Sequence, residues 1–161
     1  MGKKESFYSF ESLACWQRAF ELKRAAKALV RQFPKSEQYD LVPQARKAAR
    51  SVTANIAEGF GRFHYLDNAK FCRNARGSLY ELLDHFIEAE DEGYIQSDQL
   101  QLIRNEIFDV LRVLNGYIHY LVKRHYEKIL PPKWKNHPLS IVINYSMTNG
   151  LSAIYQNQTN P

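Results

Sequence analysis

Between Leu100 and Leu121 the residues Leu100, Ile103, Ile107, Val110, Leu114, Tyr117 and Leu121 alternate steps of three and four without a break. This is the heptad seam of a bundle helix, whereas a strand would show a period of two. Three further helical periods precede it. Leu13, Trp16, Ala19, Phe20, Leu22, Ala26, Leu29, Val30 and Phe33 predict one amphipathic helix from Ser12 to Phe33, closed by Pro34. Asp40 is the candidate cap of a second helix, which tolerates Pro43 in its first turn and turns Leu41, Ala45, Ala48, Val52, Asn55 and Ile56 inward. Gly59 is its expected left-handed stop. A third period runs through Phe71, Ala75, Ser78, Leu79, Leu82, Phe86 and Ala89 to Gly93, and the fourth opens at Ser97 or Asp98 and ends before Pro131-Pro132.

The links between these segments are short, so successive helices must lie antiparallel. The expected fold class is all-α: an antiparallel up-down-up-down four-helix bundle over residues 12–130. An N-terminal arm (1–11) precedes it, and an irregular C-terminal tail (131–161), with one apolar run from Leu139 to Tyr145, follows it. Trp16 and Phe20 read as core aromatics. Gly77-Ser78, in the middle of the third helix, reads as a point where another helix approaches closely, because a helical glycine otherwise costs about 1 kcal/mol.

The length of 161 residues suits one domain, and no apolar run approaches the roughly 18 residues of a membrane span. Without a signal-peptide core, the expectation is a cytoplasmic protein that does not engage membranes. Cys15 and Cys72 have no companion thiols, so they read as small apolar packers and not as disulfide or zinc ligands. Some apolar residues exceed what one bundle needs. Tyr80, Leu83 and Ile87 fall opposite the inner stripe of the third helix, and Phe108, Leu111, Ile118 and Val122 flank the seam of the fourth. These seven are the candidate contact of a homo-oligomer.

Catalytic signals are weak. His64, His85, His119, His125 and His137 form no metal-binding pair, and Glu81, Asp84, Glu88 and Asp91 read as a solvated helix face. Gly59-Phe60-Gly61-Arg62 lacks the preceding strand and the later lysine of a phosphate loop. No catalytic residue, metal or cofactor is expected, and the protein reads as non-enzymatic.

The net charge of +5 hides a partition: residues 1–62 hold 12 basic and 6 acidic side chains, 63–127 hold 7 and 11, and 128–161 hold 3 and none. Such a distribution predicts a basic face that attracts polyanions. Arg46, Lys47 and Arg50 lie opposite the apolar stripe of the second helix. Lys70, Arg73 and Arg76 stand in the first turns of the third, and Arg62 joins the two. These seven are the candidate nucleic-acid-binding residues, arginine being suited to bidentate phosphate contact. The alternative role is ion pairing within a protein-interaction scaffold that has no direct nucleic-acid role.

Several blocks carry a family resemblance: Trp16-Gln17-Arg18-Ala19, Phe33-Pro34-Lys35, Gln44-Ala45-Arg46-Lys47-Ala48-Ala49, Asn55-Ile56-Ala57-Glu58-Gly59-Phe60-Gly61-Arg62 and Ala75-Arg76-Gly77-Ser78-Leu79-Tyr80-Glu81. Over residues 8–128 the chain resembles the four-helix bundle proteins encoded in intervening sequences of bacterial large-subunit ribosomal RNA genes. The accessory variability determinant proteins of diversity-generating retroelements are related to these. The resemblance implies a homopentamer with a basic surface and no catalytic activity. For the retroelement branch it also implies binding of RNA or DNA and assistance to a reverse transcriptase.

Overall fold

The computed structural model describes residues 9–129. Four helices, α1 (Ala14–Leu29), α2 (Leu41–Phe60), α3 (Tyr65–Asp91) and α4 (Ser97–Ile129), are joined by short links, with 3-10 turns at Phe10–Ser12, Val30–Gln32 and Lys35–Tyr39. Among the described residues there is no strand, and no helix is long and apolar enough to cross a membrane. Each helix packs on its neighbours in the chain, and α1 also packs on α4, which closes the antiparallel bundle. The interior is filled from all four helices, with Leu22, Ile56, Leu79, Phe86, Ile107 and Leu114 fully buried.

The expected helix from Ser12 to Phe33 is shorter. Pro34 forces the residue before it into extended backbone, so Phe33 takes φ −64° and ψ 148°, and the last turn tightens to the 3-10 segment Val30–Gln32. Asp40 stands at the start of α2 without capping a backbone N–H. Its carboxylate accepts from Gln44 Nε2 at 2.9 Å, while Glu37 Oε2 accepts from the Leu41 N–H at 3.4 Å. Of the expected arm, residues 9–11 join the bundle: Ser9 caps the first 3-10 turn, and the Phe10 ring packs edge-on against Trp16. The expected tail, residues 131–161, lies outside the described residues.

Two glycines depart from their expected roles. Gly59 does not stop α2 in the left-handed region, since the helix continues to Phe60 and Gly93 (φ 73°) alone has positive φ among the described residues. A Cβ on Gly59 would instead stand 2.8 Å from Asn68 Oδ1, 2.9 Å from the Cβ of Phe71 and 3.0 Å from the Asn68 carbonyl oxygen. At Gly77 such an atom would meet nothing within 4 Å, so the close approach of helices is at Gly59 and not at Gly77. Ser78 does face α2, donating to Ser51 Oγ at 2.8 Å. Asn55 is half-buried and satisfied by the Ser51 carbonyl and hydroxyl oxygens. Asn68 is buried and donates to the Tyr117 hydroxyl at 3.1 Å, linking α3 to α4.

The surplus apolar surface is smaller than the sequence predicts. Leu83, Leu111, Ile118 and Val122 are buried within the chain, because α3 meets both α2 and α4, and α4 both α3 and α1, so each covers a wider apolar arc than one seam. Tyr80, Ile87 and Phe108 remain exposed. Cys15 and Cys72 are buried free thiols, and burial pushes them up to about 11 and about 12, well above the ordinary thiol range, so they stay protonated at neutral pH.

The glycine geometry sets opposite expectations for two alanine substitutions. Gly59→Ala should lower unfolding stability in urea by about 1–3 kcal/mol, because backbone as well as side chain blocks the added methyl. Gly77→Ala should raise stability by about 0.5–1 kcal/mol through helix propensity alone.

Candidate nucleic-acid interface

On α1, Phe20, Lys23, Arg24 and Lys27 follow one another at steps i, i+3, i+4 and i+7, so they form one stripe beside the buried stripe of Cys15, Ala19, Leu22 and Ala26. On α2, Arg46, Ala49 and Arg50 repeat the same spacing. Ala49 is small and buried between the exposed Arg46 and Arg50, so the two long side chains stand over a low floor. The two stripes enclose an open groove of about 560 Å³ lined by Phe20, Lys23, Arg24, Lys27, Arg46, Ala49 and Arg50. Five of these seven are cations and none is acidic. Among the described residues none of the five forms a salt bridge.

This concentration opposes stability. Lys23 with Lys27 and Arg46 with Arg50 are like-charged pairs at i, i+4, each destabilising by about 0.2–0.5 kcal/mol. Arg50 holds its position by donating from Nε to the Arg46 carbonyl oxygen at 3.2 Å. Across α1 the charge reverses. Arg18 and Glu21 share the α1–α4 groove with Glu106 and Asp109, and burial together with the neighbouring Glu21 raises the Glu106 carboxyl above its ordinary range. The partition seen along the sequence thus becomes a partition across one helix.

An aromatic ladder adjoins the cationic groove. Trp16 and Phe20 stack with ring centroids 5.0 Å apart and planes 27° apart, Phe10 meets Trp16 at 5.2 Å, and Lys23 Nζ stands 4.1 Å over the Phe20 ring. Trp16 and Phe20 are half-buried on the shoulder of α1, not in the core as their sequence positions predict.

The seven predicted cations do not form one face. Arg46 and Arg50 line the groove, and Lys47 is exposed beside them without lining it. Arg62 is bound at the α2–α3 corner, donating to Glu58 Oε1 at 2.7 Å with its guanidinium 4.9 Å from the Phe71 ring centre. Arg76 donates to Asn115 Oδ1 of α4 at 3.3 Å, and Lys70 and Arg73 sit near the same end of α3. Helices α2 and α3 are indeed neighbours. Being antiparallel, they set the start of α3 beside Arg62, about 18 Å along the axis from Arg50 at 1.5 Å per residue. Arg76, two residues from the Ser78 that bonds Ser51, is nearly level with Arg50 and is set apart by direction, since it reaches towards α4. The cations that complete the groove, Lys23, Arg24 and Lys27, are carried by α1. Their signal was their shared register with Phe20.

Among the described residues no group of three or more His, Cys, Asp or Glu side chains could hold a metal ion. His85 lies 4.0 Å from Glu81 on the same helix. What stands out is therefore electrostatic: an all-helical bundle that carries an unneutralised cationic groove between its first two helices. Residues 11–116, more than half of the chain, match the model of the 23S rRNA-intervening sequence protein family, and the chain belongs to that family. No match was found among curated proteins. The matched span contains every residue of the groove. It also contains the block from Asn55 to Arg62, which builds the α2–α3 corner through the Asn55 bonds to Ser51, buried Ile56, the Glu58–Arg62 pair and the contact at Gly59.

Proposed function

We propose that this protein is a non-enzymatic, oligomeric nucleic-acid-binding protein that engages the phosphates of RNA or DNA in the α1–α2 groove. The observation that carries this reading is the gathering of five cations in a groove with no lining carboxylate. Arginine and lysine on rigid helices present phosphate contacts without ordering a loop, and a bound polyanion relieves the repulsion between them. Membership of a family named for ribosomal RNA intervening sequences agrees with a role beside RNA. The likeness to retroelement accessory proteins adds a reverse transcriptase as the protein partner to which bound RNA would be delivered. A second copy of the chain is the partner assigned to the exposed Tyr80, Ile87 and Phe108.

Titration of labelled single-stranded RNA tests the groove. If all five cations meet phosphate, log affinity should fall with log salt at a slope of about −3.5, or about −0.7 per contact. Arg46→Ala with Arg50→Ala should flatten the slope by about 1.4, whereas Arg73→Ala should leave it nearly unchanged. Lys27→Glu should weaken binding by more than the loss of one contact while changing fold stability by no more than about 1 kcal/mol, since the attraction gained with Lys23 is set against an anion placed in the last turn of α1. Absence of RNA and DNA binding at low salt would refute the reading and leave the protein-interaction scaffold. For the oligomer, light scattering should report a multiple of the 18.8 kDa chain mass, reduced towards the monomer by Tyr80→Ser with Ile87→Ser. A monomer at micromolar concentration in the unmutated protein would contradict it.

A further inference from the structure

The aromatic ladder has no role in contacting phosphate, yet it opens into the cationic groove. Phe20 lines the groove together with Lys23, and Trp16 stacks on Phe20 from the side of the helix start. A ring has two faces. Trp16 occupies one of those of Phe20, and the Lys23 ammonium, 4.1 Å from the ring centre, covers the other. That cover is removable: Lys23 has a long flexible stem, and among the described residues no carboxylate holds its ammonium in place.

We propose that the groove takes single-stranded nucleic acid, with Lys23 moving from the ring to a phosphate and an unpaired base stacking on the face of Phe20 that it uncovers. The inference rests on the nucleic-acid reading above and specifies the strand form. Magnitudes favour the exchange. A cation over an exposed ring is worth about a two- to five-fold change in an equilibrium, and a base stacked on an aromatic side chain about five- to 150-fold. Lys23 also gains a phosphate contact when it leaves. In a duplex the base faces are stacked on one another and cannot reach the ring, so a duplex would use the cations alone. From Trp16 to Lys27 the stripe is about 16 Å long, enough for roughly five stacked nucleotides at about 3.4 Å each. Stacking is also tolerant of sequence, so this device sets strand form and not base identity.

The test uses the full chain carrying Trp134→Phe, which leaves Trp16 as the sole tryptophan of the two in the sequence. Three probes are compared at one salt concentration: a 12-nucleotide single-stranded RNA, a strand of equal length and charge without bases, and a 12-base-pair RNA duplex. The expected result is quenching of Trp16 emission by the single strand and at least five-fold tighter binding of it than of the base-free strand. Phe20→Leu should abolish that difference, with the base-free strand binding as tightly as before or up to about five-fold more tightly because Lys23 no longer leaves a ring to reach phosphate, while Phe20→Tyr, which keeps the ring, should preserve both the difference and the fold. Equal affinity for the two strands, or a preference unaffected by Phe20→Leu, would overturn the stacking proposal while phosphate binding stands. A tighter complex with the duplex would also overturn it. If none of the probes binds, the nucleic-acid reading falls and this proposal falls with it.

Discussion

At the end of α2 the missing side chain of Gly59 leaves room for Asn68 of α3, whose Oδ1 lies 2.8 Å from the point a Cβ would occupy. Asn68 in turn donates to the Tyr117 hydroxyl of α4 and accepts from the Cys72 thiol at 3.4 Å, so three helices are fixed around one buried amide. Such an amide is costly to leave unsatisfied and well ordered when its partners are present. Further along the same seam Ser78 and Ser51 exchange a hydrogen bond between small side chains. With α2 held this closely on α3, α1 packs along another flank of α2, where Ala49 lines the groove. The longer side chains Arg46 and Arg50 are left standing beside the cationic stripe of α1.

The groove therefore depends on a contact on the other side of α2. It also departs from what stability alone would select, since repulsive i, i+4 pairs face one another across two helices and the available carboxylates lie elsewhere. Glu58 is committed to Arg62 at the corner, and Glu21 turns towards α4, where it meets Glu106. Local departures of this kind concentrate at functional sites, where a ligand supplies the missing counter-charge. The like-charge pairs of the groove are each a few tenths of a kcal/mol, a tolerable fraction of the 5–15 kcal/mol by which domains are usually stable.

Much of the fold was legible because helical periodicity and short links leave few arrangements. The seam from Leu100 to Leu121 is buried at every position except the half-buried Tyr117, and the antiparallel order follows from the link lengths. What one-dimensional periodicity misses is which helices flank each stripe. Leu111, Ile118 and Val122 look superfluous beside one seam, and are interior because α4 has two neighbours. The close approach belongs to Gly59 and not to Gly77 for a related reason: helix propensity signals that a glycine needs an explanation, and only the three-dimensional neighbour shows whether one exists. The candidate site was legible by half. Arg46 and Arg50 stood out as charges opposite an apolar stripe. Lys23, Arg24 and Lys27 sit on the shoulder of theirs, and the partnership of α1 with α2 joins the two sets. Arg62, Lys70, Arg73 and Arg76 were grouped with them by adjacency in the chain, but Arg62 is bound to Glu58 at the far end of α2 and Arg76 turns towards Asn115 of α4.

The central claim is that the polyanion site lies between α1 and α2. Lysine footprinting tests it most directly: brief acetylation of the protein with and without saturating RNA at low salt, followed by mass spectrometry of each lysine. The account predicts strong protection of Lys23 and Lys27, with Lys70 and Lys123 acetylated equally in both samples. Protection centred on Lys70, or unchanged acetylation at Lys23 and Lys27 under saturating RNA, would contradict it.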